Sequence, residues 1–162
     1  MDKKPLIAIA FLVTASVCLG QSAPDAGRVV LEGSKAVLLG ERLQFDPNSK
    51  SVNGLAKPSE SLSWGFEIPK SGWYQIVVHY ALKEDRNGGK SSFNATIGDQ
   101  NRLGPIHSTG SLDRYLPQVL FDPVELTSGS HQLKLQLKEM RRSSDLQIRK
   151  VELVRAREPG VP

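Results

Sequence analysis

The sequence predicts an all-β chain whose short antiparallel strands pack as a two-sheet sandwich. Three observations carry that expectation. Apolar residues alternate with polar ones at period two in several stretches. Turn residues punctuate the chain between those stretches at short intervals. No stretch carries a long helical period.

The first twenty residues are set aside before any fold reasoning. Asp2, Lys3 and Lys4 make a charged start, and an apolar run follows from Pro5 to Leu19 around Ile7, Ile9, Phe11, Leu12 and Val13. It breaks at Gly20-Gln21-Ser22, which is the order of a secretory signal peptide, with cleavage expected after Gly20 or Ser22. The run is shorter than the roughly 20 apolar residues that a membrane span needs. Cys18 opens an alternative, a lipidated anchor at the end of the leader; otherwise it leaves with the leader. The mature chain then has no cysteine, because the sequence contains 1, and a secreted domain without disulfides rests on its core. Residues 21–27 read as a short linker, 28–156 as one sandwich domain and 157–162 as a flexible tail.

Within the domain the strands are expected in order. Arg28–Leu31, Val37–Leu39 and Arg42–Phe45 come first. Leu62, Trp64, Phe66 and Ile68 then alternate with Ser63, Gly65 and Glu67, giving one buried and one wet face. From Trp73 to Leu82 both faces carry apolar residues, so that strand is expected at the centre of a sheet. Ser92–Ile97, Val119–Leu126, Gln132–Lys138 and Leu146–Val154 complete the set. Pro69-Lys70-Ser71-Gly72 reads as a turn between strands, Asp85-Arg86-Asn87-Gly88-Gly89 as a turn or hairpin loop, and Thr127-Ser128-Gly129-Ser130 as a hairpin.

Composition narrows the functional classes. The formal net charge is +4, and no basic run is interleaved with aromatics, which argues against nucleic acid. His79, His107 and His131 lack metal-ligand spacing, and no nucleophile elbow or phosphate-cradling glycine loop is present. The chain reads as a non-enzyme.

The ordered motifs resemble those of family 6 and 35 carbohydrate-binding modules and related galactose-binding-like domains of secreted bacterial proteins. They run Val30-Leu31-Glu32, Leu62-Ser63-Trp64, Pro69-Lys70-Ser71-Gly72-Trp73-Tyr74, Thr109-Gly110 through Tyr115, Leu126 through Leu133, and Asp145-Leu146-Gln147-Ile148. The resemblance implies a jelly roll, a secreted or periplasmic location and a sugar cleft at one end. A sugar ring packs its C–H face on an aromatic side chain there, while its hydroxyls meet polar groups. At the two positions where the family carries such aromatics, this chain has Leu55 and Leu112. The resemblance also implies a structural calcium held by the first and last strands, for which Glu32 and Glu152 are the candidates.

Trp64 and Tyr74 read as core by their place in alternating strands. Trp73, on the other face from Tyr74, is the candidate platform, and Tyr115 with Asp113, Arg86 and Asn87 supplies the polar contacts of a candidate glycan site. Two functions follow. One is a glycan- or polysaccharide-binding module, which requires an exposed aromatic in a concave site. The other is a structural or protein-interaction jelly roll that has lost its sugar cleft. Neither involves a membrane unless Cys18 is lipidated.

Overall fold

A computed structural model describes residues 27–83, 91–139 and 146–160. The leader with Cys18, the loop with Arg86 and Asn87, and Arg141, Arg142 and Asp145 lie outside the described residues.

Among the described residues the strands are β1 (Arg28–Glu32), β2 (Val37–Leu39), β3 (Gln44–Asp46), β4 (Ser51–Asn53), β5 (Ser61–Ile68) and β6 (Gly72–Leu82). They continue with β7 (Ser91–Ile97), β8 (Gln100–Ile106), β9 (Leu116–Val119), β10 (Val124–Leu126), β11 (Gly129–Glu139) and β12 (Leu146–Arg155). They form two antiparallel sheets. A seven-stranded sheet runs β10-β6-β12-β4-β3, with β9 also on β6 and β1 also on β12. A five-stranded sheet runs β2-β5-β11-β7-β8.

The period-two stretches supply the two inner faces. Tyr74, Ile76, Val78 and Tyr80 of β6 point inward, as do Leu62, Trp64 and Ile68 of β5 and Leu133, Leu135 and Leu137 of β11. Tyr80 meets Phe93 edge to face, with ring centres 5.3 Å apart. Trp64 spends its indole N–H on the Glu32 carbonyl at 2.8 Å, tying β5 to the end of β1. Trp64 and Tyr74 are both core residues.

Three expectations are corrected by the topology. Residues 127–130 do not close a hairpin: β10 lies in the seven-stranded sheet and β11 in the five-stranded one, so the chain crosses between layers there. The expected strand 119–126 is broken at residues 120–123: β9 ends at Val119, where that strand was expected to start, and only β10 falls inside it. Asp122 sits at φ 53°, and Pro123 has no N–H to give a ladder. Finally, β4 and β8 were not anticipated. β8 forms the edge of its sheet through a tight hairpin with β7, closed by Gly98 at φ 60° and Asp99.

Candidate functional site

The break in the expected strand creates the most distinctive surface of the molecule. Segment 120–123 leaves the seven-stranded sheet and reaches the edge of the other. Leu120 N–H donates to the Ile76 carbonyl of β6 at 2.9 Å, and the next amide, of Phe121, donates to the Leu103 carbonyl of β8 at 2.7 Å. Alternation sends Leu120 into the core and Phe121 outward. Leu120 is 1% exposed and Phe121 60% exposed.

Phe121 stands over a cleft of about 510 Å³ between the ends of β7, β8 and β11. Leu103 and Pro105 add apolar wall beside the ring. Ser91, Ser92, His107, Lys138 and Glu139 bring hydroxyls, an imidazole and both signs of charge to the same cleft. His107 is held from behind, because the Tyr80 hydroxyl donates to its carbonyl at 3.0 Å and accepts from its amide at 2.9 Å. Burial raises the pKa of that tyrosine above its ordinary value, against a smaller lowering from the His107 bond, so Tyr80 keeps its proton. The cleft therefore offers a flat apolar face ringed by groups that donate and accept hydrogen bonds. Val119-Leu120-Phe121 reads in sequence as ordinary strand interior, and only the following Asp-Pro dipeptide marks the break that exposes the ring.

The residues singled out from sequence do not gather into one site. Trp73 lies half-buried on the outer face at the start of β6, opposite Glu125. Tyr115 precedes β9 at the far end of β6, where Leu116 faces Tyr80. Seven strand positions separate Trp73 from Tyr80, about 23 Å at the usual rise per residue. Trp73 and Tyr115 thus stand near opposite ends of β6. Asp113 is exposed in a turn with Ser111, whose hydroxyl accepts from the Asp113 amide at 3.1 Å. Arg86 and Asn87 fall outside the described residues.

Tyr115 has partners of its own. A register shift between Ile148 and Lys150 bulges β12 at Arg149, and bulges re-aim side chains. The Arg149 guanidinium lies over the Tyr115 ring, 3.6 Å from its centre, a cation–π contact. The Tyr115 hydroxyl donates to Gln147 Oε1 at 2.5 Å. One ring face and the hydroxyl are thus engaged within the protein. Nearby, Leu55 is 1% exposed and fills the core instead of lining a cleft. Gly54, at φ +91°, lets the chain pass so close that a Cβ would sit 2.1 Å from the Arg42 carbonyl oxygen. Thr109 is buried, accepting from the Leu82 amide at 2.9 Å and donating to the Ser111 carbonyl at 2.8 Å. Its part in the Thr-Gly motif is to close the end of β6.

The candidate calcium ligands Glu152 and Glu32 stand in different surroundings. Glu152 projects from the outer face of β12, yet its side chain is only 4% exposed. Arg28 lies 2.5 Å from Oε1, Lys150 2.6 Å from Oε1 and His79 3.1 Å from Oε2. Burial raises the pKa of the carboxyl. The contacts from Lys150, Arg28 and His79 outweigh it and hold the group at about 2. Glu32 is exposed and sits opposite Lys150. Calcium takes six to eight oxygens; here protein cations crowd the one buried carboxylate. Among the described residues no three His, Cys, Asp or Glu side chains converge as a metal set.

No protein-family model and no curated protein matches the chain. Solved structures do. A family 35 carbohydrate-binding module from Clostridium thermocellum matches with TM-score 0.63 at 18% identity, covering 78% of this chain and 98% of that one. A family 36 module, solved with calcium and xylotriose, matches with TM-score 0.57 at 17% identity, covering 77% and 98%. Part of the mosquito-larvicidal Cry4Aa toxin of Bacillus thuringiensis matches with TM-score 0.69 at 12% identity, covering 81% of this chain. This chain spans 24% of that toxin, and 18% of a Paenibacillus cycloisomaltooligosaccharide glucanotransferase that it also matches. Its two antiparallel sheets and these likenesses agree: the chain has the β-sandwich fold of the family 6, 35 and 36 carbohydrate-binding modules.

Proposed function

We propose that the chain is a secreted, non-catalytic glycan-binding module whose ligand lies across Phe121. The observation that carries this reading is the Phe121 ring, 60% exposed over a walled cleft. Leaving a phenylalanine in water forgoes about 2 kcal/mol of burial, and here its backbone is fixed in that position from both sides. A pyranose can lay its C–H face on the ring, while Ser91, Ser92, His107, Lys138 and Glu139 meet its hydroxyls. A non-catalytic role is supported by the dispersal of the histidines: His79 on Glu152, His131 stacked on Phe66, His107 in the cleft. Among the described residues no helix is long and apolar enough to cross a membrane.

A second reading has its own observation. The edge strand β2 exposes Val37 and Leu39, at 67% and 61%, a surface suited to a protein partner.

Affinity electrophoresis of the mature protein through gels containing xylan, laminarin, mannan or dextran separates the two. Retardation by one polysaccharide, lost in Phe121→Ala and kept in Tyr115→Ala and Trp73→Ala, is the expected result. Retardation that Phe121→Ala leaves intact would move the site elsewhere. Free migration in every gel would favour the protein-partner reading, and Val37→Ser with Leu39→Ser would then be compared in pull-downs.

A further inference from the structure

The segment that displays Phe121 is held on one side by β6, where Ile76 takes the Leu120 amide and the Gln75 side chain donates to the Leu120 carbonyl, and on the other by β8. Along β8, Gln100, Arg102, Leu103 and Gly104 each meet a fixed point on the segment beyond. The side-chain amide of Gln100 bonds both backbone groups of Glu125, donating to its carbonyl at 2.8 Å and accepting from its N–H at 3.3 Å. The Arg102 guanidinium donates through Nε to the Asp122 and Pro123 carbonyls at 3.0 and 3.1 Å, and through a terminal nitrogen to Pro123 again at 2.9 Å. The same guanidinium is steadied by the Asn101 carbonyl at 2.9 Å and by Gln100 Oε1 at 3.3 Å. The Leu103 carbonyl takes the Phe121 amide. Gly104 leaves the space that Leu120 fills, since a Cβ there would stand 2.3 Å from Leu120 Cδ2.

Five planar donors in a rigid fork suit Arg for gripping several carbonyls at once, which Lys, a point donor on a flexible stem, cannot reproduce. The gripped carbonyls belong to the two residues that follow Phe121, one of them at a positive φ that a non-glycine residue adopts only under constraint. We infer that Arg102 is a positioning residue for ligand binding: it never touches the ligand and holds the Phe121 ring ready over the cleft. This rests on the reading of Phe121 as the binding platform and extends it to a residue outside the cleft lining.

Its energetic effect is the ordering that binding no longer has to supply. Immobilising one side chain and its loop on association costs enough to weaken binding about three- to tenfold. The test compares wild type, Arg102→Met, Arg102→Lys and Phe121→Ala. Retardation is measured by affinity electrophoresis in xylan, laminarin, mannan and dextran gels, and amide hydrogen exchange at Phe121 is read without any glycan. Arg102→Met is expected to weaken retardation about three- to tenfold and to speed exchange at Phe121, with exchange of β6 and β11 core amides unchanged. Arg102→Lys should recover little of either. Faster exchange at Phe121 beside unchanged exchange of the core amides is a result that a general structural role would not produce. Unchanged exchange at Phe121 in Arg102→Met would overturn the inference. So would retardation equal to wild type in Arg102→Met alongside loss in Phe121→Ala. If no gel retards the wild type, the glycan reading and the ligand-positioning role fall together, and the exchange data alone then decide whether Arg102 orders the loop.

Discussion

Glu152 shows how one side chain can turn a sheet's outer face into part of the stable structure. Its carboxylate is covered and faces Arg28, Lys150 and His79 at once. Because its pKa falls from 4.5 to about 2 on folding, its contribution is complete above pH 4.5 and is lost as pH falls toward 2. The shift corresponds to about 3 kcal/mol. Glu152→Gln should therefore lower stability in urea by about that amount near neutral pH, leaving Lys150 and Arg28 uncompensated. It should also flatten the decline in stability between pH 4.5 and 2. Arg28, 42% exposed, is screened by solvent, and Arg28→Ala should cost less than about 1 kcal/mol. From sequence Glu152 was visible only as an acid in the last strand; that Lys150 and His79 share its face depends on register between distant strands.

β8 illustrates the limit of local reading for an element. Gln100-Asn101-Arg102-Leu103-Gly104-Pro105-Ile106 has little β-propensity, and its Gly and Pro argue against a strand. It forms because it is an edge, where Pro105 need not serve two neighbours, and because Gly104 trades its own side chain for Leu120. Gly104→Ala should thus destabilise the fold by about 1–3 kcal/mol through overpacking. It should also displace Leu120, so that glycan retardation falls together with the melting temperature. A normal melting temperature with unchanged retardation would show that the Leu120 contact is slack. Among the strands that were legible, β5 and β11 carry their burial signal in alternation, and β6 in apolar residues on both faces. β4 was illegible because three residues are too few for a period, and the Phe121 platform because an apolar triplet looks the same whether its last member is buried or displayed.

For the molecule as a whole, the sandwich class followed from alternation and turn spacing, since many short amphipathic strands have few other ways to bury one face each. The assignment of strands to sheets did not follow, as 127–130 shows: a Ser-Gly turn can close a hairpin or carry the chain across to the other layer. The resemblance implies a platform where Leu55 and Leu112 stand, while the platform proposed here, Phe121, lies on an edge the resemblance does not mention. The charge cluster at Glu152 has a whole-molecule test as well. Thermal unfolding of the mature protein should give the same midpoint in millimolar calcium and in a chelator. A rise of several degrees with calcium would show that an ion displaces the protein cations.

The pairing of β1 with β12 carries a mechanical consequence. Arg28 lies opposite Val154, and the Arg155 amide donates to the Gly27 carbonyl at 2.7 Å, so the chain enters and leaves the domain at adjacent points. A pull applied through both flanking segments acts across that ladder and breaks its bonds one after another, beginning at residue 27. The parts that form the Phe121 cleft share no ladder with β1. Under tension the first strand would peel away while the cleft kept its shape, so that with a ligand bound at the proposed site the tether would yield before the grip.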